Sequence, residues 1–200
     1  MIGSRLGLAV LLAFATVLAA SGAGAVDHPD LFRAWSPDFP DNGILSSDNA
    51  SGGTSPRGPW TCGGKNIAPA IAWSGAPSDT KSFAVIMDDP DAASGRGGNH
   101  WIVYDIAASA SGIARGAKEG FAPGDTGRDG GYHGPCAEPG AKAHHFLFYV
   151  YALDLAPGVL PRNLTKAEFM TRIQGHNTAE ASVAAVYQRA PDGAALSKVE

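Results

Sequence analysis

The sequence predicts a mainly β protein with many turns, folded as one exported domain. Three observations lead there. Short apolar runs rich in β-formers recur along the chain, and each ends in a cluster of Gly, Pro or Asp. Glycine and proline are abundant, at 26 and 14 of 200 residues, and they fall between those runs. The third is a leader at the start of the chain.

In that leader, Arg5 supplies a positive charge ahead of the apolar run Leu6–Ala20, and Ala23-Gly24-Ala25 offers small residues to a signal peptidase. Cleavage is expected after Ala25, so residues 1–25 are a signal peptide and 26–200 a single domain starting at Val26. The run of 15 residues falls short of the ~20 that span a bilayer. No cysteine follows it to carry a lipid, and no later stretch is long enough to span. A periplasmic or secreted protein without a transmembrane segment is expected. Losing Arg5 takes the net charge from −4 to −5. With no cluster of Lys and Arg, nucleic acid is excluded as a partner.

Cys62 and Cys136 are the cysteine pair. In an oxidising compartment, two cysteines far apart in sequence read as a disulfide, two separate buried thiols being the alternative. Neither has a second cysteine at chelating spacing, so no metal is expected.

The elements follow in order. Asp27 to about Lys65 reads as short strands and long turns, anchored by Leu31, Phe32, Trp35, Ile44 and Leu45. Ile71-Ala72-Trp73 is a short strand stopped by Ser74-Gly75-Ala76-Pro77. Ser82–Met87 is a strand buried on both faces, His100–Ile106 is another, and His144–Leu153 is the longest and most aromatic. The link DDPDAASGRGGN is too polar and glycine-rich for a helix. Ala107–Ala143 is a long stretch without a period, and loops of that length are usually functional. Thr165-Lys166-Ala167-Glu168 has the capping-box spacing, with Phe169, Met170 and Ile173 as the apolar face and Gly175 as the stop. Ala181–Tyr187 is a final strand or more helix, and the tail after Arg189 looks frayed.

Polar clusters sit at the ends of these strands. Asp88-Asp89-Pro90-Asp91 follows the first long strand, where the aspartates could hold a ligand or merely bond the backbone of their own turn. His100 opens the next strand. Gly134-Pro135-Cys136 precedes His144-His145, which open the aromatic one. No zinc, P-loop, dinucleotide or serine-hydrolase motif is present.

Together the segments NIAPAIAWSGAP (66–77), TKSFAVIMDDPDA (80–92), NHWIVYDI (99–106), GGYHGPCAEPG (130–140) and HHFLFYVYALD (144–154) resemble the phosphatidylethanolamine-binding protein family. The similarity is greatest to its bacterial, Raf kinase inhibitor-like branch, and it covers roughly residues 31–189. The resemblance implies an antiparallel, Greek-key-like β-sandwich with a few short peripheral helices. It implies a pocket for small anions such as phosphate or a phospholipid head group, formed by Asp89, Asp91, His100, Gly134, Pro135 and His144. An aspartate would fix a histidine tautomer, and Gly134 would let the backbone approach an oxyanion. The sequence departs from the family at Ala93, where a proline is usual, and at Gly98-Asn99, where an aromatic pair precedes the histidine. It also has Phe146 in place of a tyrosine, losing a hydroxyl.

The expectation is a non-catalytic binding protein without cofactor. Alternatives are an inhibitor or interaction protein acting on an enzyme partner, and a hydrolase using the Asp/His set. The hydrolase lacks a nucleophile once Cys136 is bridged.

Overall fold

The structure, a computed structural model, describes residues 31–127 and 131–196. The leader, its cleavage site and Val26 lie outside the described residues. Nine strands run in chain order: β1 (Arg33–Trp35), β2 (Gly43–Ile44), β3 (Ile71–Ser74), β4 (Ser82–Asp89), β5 (Gly98–Ala107), β6 (Gly112–Ile113), β7 (Ala122–Pro123), β8 (His144–Leu153) and β9 (Asn177–Tyr187). A short turn, α1 (Ala92–Gly95), in which Ala93 and Ser94 take left-handed φ values of 52° and 58°, joins β4 to β5, and the helix α2 (Lys166–Arg172) lies between β8 and β9.

The strands form a three-stranded sheet, β1-β3-β6, and a six-stranded sheet, β2-β9-β8-β4-β5-β7. The pairings are antiparallel except that of β2 with β9. Phe83, Val85 and Met87 point from β4 into a core shared with Trp73, Phe148 and Val183. Ala84 and Ile86 point the other way, into a second core closed by Phe169 and Ile173 around α2. Period-2 alternation thus feeds two cores from one strand, which is why the stretch Phe83–Met87 of β4 is apolar without a break. Burying a side chain such as Ile86 or Phe83 stabilises by ~1.5–3 kcal/mol.

The capping box forms at α2: Glu168 N–H donates to Thr165 Oγ1 at 3.3 Å, and Thr165 N–H to Glu168 Oε2 at 2.9 Å. Phe169 and Ile173 are buried as expected, whereas Met170 is 37% exposed and belongs to the outer face. Residues 177–187 are strand, because the open edge of β8 needs a partner along its whole length. The long stretch from 107 carries β6 and β7, which pad the edges of the two sheets.

As far as residue 196, the tail folds back instead of fraying. Arg189 bridges to Ala195, and its buried guanidinium donates to the carbonyls of Gly193, Thr61 and Ala137 at 2.7, 2.9 and 3.3 Å. Among the described residues no helix is long and apolar enough to cross a membrane.

The arrangement fixes where polar groups can gather. β4 lies between β5 and β8 and runs antiparallel to both, so its last residue, Asp89, meets the first residues of its neighbours. His100 and His144 are at those starts. A β-bulge then turns His100 inward. Met87 pairs with Trp101 and Asp88 with Asn99, leaving His100 as the extra residue on β5.

Candidate functional site

Asp89, 3% exposed, serves two masters. Its Oδ1 accepts the backbone N–H groups of Asp91 and Ala92 at 2.9 and 3.0 Å, which builds the turn into α1. Its Oδ2 accepts from His144 Nδ1 at 2.7 Å, and His100 Nε2 lies 3.9 Å away. The two readings of this aspartate, turn-former and histidine-orienter, are therefore both satisfied, one oxygen each.

Both histidines are held by Nδ1. The carboxylate of Asp89 only accepts, so His144 Nδ1 carries the proton. His100 Nδ1 likewise donates to the His133 carbonyl at 2.7 Å, and His133 N–H donates back to the His100 carbonyl at 2.8 Å. The bond to Asp89 holds the His144 pKa above the usual histidine value, burial opposes it, and the charges of Asp89 and Asp91 add to the rise.

Asp89, His100, Gly134, His144 and Phe146 surround a cavity of about 50 Å³. Phe146, in place of a tyrosine, presents its ring edge-on to His100, centroids 5.2 Å apart. The volume suits a group of a few heavy atoms, a water molecule filling about 30 Å³ of liquid.

Two residues expected in the pocket are elsewhere. Asp91 faces the surface, where its Oδ2 accepts from the backbone N–H and the Nδ1 of His145, both at 2.8 Å. Those bonds, the backbone one foremost, hold its carboxyl below the usual carboxylate range. Pro135 does not line the cavity; its carbonyl accepts from Ser51 N–H at 3.0 Å and fastens the loop.

Gly134 lines the cavity for a different reason from the one expected. Its N–H donates to Asn66 Oδ1 at 2.8 Å, so it is not offered to an oxyanion. A Cβ there would lie 2.0 Å from the Asn49 carbonyl oxygen. Glycine is needed for packing against residues 49–51, not for a ligand.

The family departures also resolve individually. A Cβ on Gly98 would lie 3.2 Å from the Ala92 Cβ and 3.9 Å from His100 Nε2, so a larger side chain there would crowd two residues that line the cavity. Asn99 is on the opposite face, its amide donating to Asp88 Oδ1 at 3.2 Å, and does not shape the mouth. Ala93 has φ of 52°, a left-handed value that proline cannot adopt.

The sequence did not point to the far lip of the cavity, made by Ser55, Pro56 and Arg57. Arg57 is exposed and has no ion-pair partner among the described residues. The cystine Cys62–Cys136, with Cα atoms 4.9 Å apart, ties the segment carrying Arg57 to the loop carrying Gly134. That pairing was the signal that could have located Arg57. Among the described residues there is no group of three or more His, Cys, Asp or Glu placed to hold a metal ion.

The family model for phosphatidylethanolamine-binding protein matches residues 36–188. The chain belongs to the phosphatidylethanolamine-binding protein family. A UPF0098 protein of Aquifex aeolicus is 37% identical over 139 residues, covering 65% of this chain and 79% of the relative. The crystal structure of Escherichia coli YbcL, described as a member of the mammalian PEBP family, superposes with a TM-score of 0.69 at 30% identity. It covers 78% of this chain and 98% of YbcL. The Chlamydia trachomatis homologue CT736 gives 0.68 at 25% identity, covering 80% of this chain and 99% of CT736. In this family member, then, Asp89, His100 and His144 stand at one end of the larger sheet, with a cystine beside them.

Proposed function

We propose that this phosphatidylethanolamine-binding protein family member is an exported, non-catalytic protein that holds a small anion, phosphate or the phosphate of a phospholipid head group, in the Asp89–His100–His144 cavity. The observation that carries the reading is the 2.7 Å bond from His144 Nδ1 to Asp89. It locks the neutral ring with its proton on Nδ1, so Nε2 is then a lone pair and disfavours an anion. Protonation turns Nε2 into a donor and adds a positive charge. Arg57 at the lip supplies a second cation. The cavity takes the anionic group alone, and the rest of a larger molecule would lie outside it. The leader and the disulfide favour export, and the bridge leaves no cysteine thiol for nucleophilic chemistry.

The sign of the pH dependence follows. The His144 pKa is raised, so its imidazolium persists toward neutral pH and binding weakens as pH climbs through that value. Calorimetry with inorganic phosphate and with glycerophosphoethanolamine between pH 5.5 and 8 is the test. Tighter binding at pH 5.5, lost in His144→Ala and weakened in Arg57→Ala, supports the reading. Affinity that is flat with pH or unchanged in His144→Ala overturns it, and steady turnover of a phosphomonoester would overturn its non-catalytic half.

A further inference from the structure

Trp101 follows His100 directly, and the bulge leaves both on the inner face of the sheet, yet Trp101 borders a different hollow. This is a cleft of about 570 Å³, within the size range of small-molecule sites. Its floor is aromatic: Trp101 meets Phe121 and Tyr132 edge-on, with centroids 6.4 and 5.6 Å apart. Tyr132 is pinned by its hydroxyl, which donates to the Asn49 carbonyl at 2.9 Å. Asn66 forms the partition from the first cavity, donating to the Tyr132 carbonyl and accepting from Gly134 N–H.

Three features of this cleft point to an occupant with an apolar body and a negative end. Lys65 and Lys118 stand at its border, and none of its described lining residues is acidic. Lys118 has no ion-pair partner among the described residues, and Lys65, 68% exposed, shares Asp48 with Arg115. The indole N–H of Trp101 has no hydrogen-bond partner among the described residues although the residue is only 1% exposed. By contrast, the indole of Trp73 donates to the Ala110 carbonyl.

We infer that this cleft is a second ligand site, for an aromatic carboxylate whose flat ring lies against Phe121 and Tyr132 and whose carboxylate meets the lysines. Edge-to-face walls suit a planar ring, and the two ammonium groups select the anion over a neutral analogue. The site is separate from the anion cavity and stands or falls independently of it.

The test uses 2-naphthoate as probe, followed by NMR on ¹⁵N-labelled protein. The indole resonance of Trp101 is assigned with Trp101→Phe. The expected result is a saturable shift of that resonance and at least roughly 5-fold weaker binding in Lys65→Ala/Lys118→Ala, a size consistent with two exposed ion pairs. Naphthalene-2-methanol should bind more weakly by a similar factor, and His144→Ala should bind naphthoate as the wild type does. An unmoved Trp101 indole overturns the inference, as does equal binding of the neutral analogue or by the double lysine variant. Loss of binding in His144→Ala would assign the probe to the first cavity and overturn it too.

Discussion

Replacing Asp89 by Asn separates the two tasks of that residue. The amide oxygen can still accept from the N–H groups of Asp91 and Ala92, so the turn survives. The amide nitrogen now faces His144 Nδ1, where a carboxylate oxygen stood at 2.7 Å. A donor there forces the neutral ring to move its proton to Nε2 and repels the imidazolium. A hydrogen bond between charged groups contributes about 1.5–3 kcal/mol and a neutral one about 0.5–1.5 kcal/mol, so the substitution should cost on the order of 1 kcal/mol more where His144 is charged. His144 has its folded pKa raised, so its contribution is fully present below the unfolded-state value, near 6.5, and is lost as pH rises through the folded value. Asp89→Asn should therefore destabilise more at pH 5.5 than at pH 8. Urea denaturation at both values, with NMR titration of the His144 ring, reads both effects. An equal cost at the two pH values, or a His144 titration unmoved by the substitution, would refute the argument.

Three further outcomes are expected. Cys62→Ser/Cys136→Ser opens a loop with a sequence separation of 74; the chain-entropy limit is roughly 4.5 kcal/mol, or a fall in Tm on the order of 10 °C, and an unchanged Tm would show that the bridge is not formed. Gly134→Ala places a methyl 2.0 Å from the Asn49 carbonyl oxygen and should cost about 2 kcal/mol or more in urea denaturation, since backbone must move. Arg189→Met keeps the apolar stem but strips donors from the Thr61, Ala137 and Gly193 carbonyls; a loss of roughly 3 kcal/mol is expected, and a loss below about 0.5 kcal/mol would show that water replaces the guanidinium.

What was legible in the sequence is what local signals encode. The ends of β8, Gly and Pro clusters on either side of HHFLFYVYAL, coincide with His144 and Leu153. The capping box at Thr165 marks the start of α2. Asp89, His100 and His144 stood out because strand ends are where polar groups escape the pleat. Arg57 did not, because its segment has no period and is brought to the cavity by the cystine, the Arg189 guanidinium and the backbone around them. Asp91 and Asp89 are two residues apart and looked interchangeable. The turn into α1 decides between them, since Asp89 is buried to bond its own loop while Asp91 turns out to His145.

The bulge at His100 was equally invisible, and it governs the most. Period-2 alternation predicts that consecutive strand residues face opposite sides. In regular pairing, an inward Trp101 opposite Met87 would send His100 to the outer face, toward Asp88 and away from Asp89. One unpaired residue removes that conflict: Trp101 keeps its place in the core while His100 stays 3.9 Å from Asp89 Oδ2. Register depends on the partner strand, here β4 at the other side of the Ala92–Gly95 turn, so no window on β5 alone contains it. Deleting Asn99 would restore regular pairing with His100 opposite Asp88 on the outer face, and so cost the cavity a histidine that the chain still contains, even though every strand would remain.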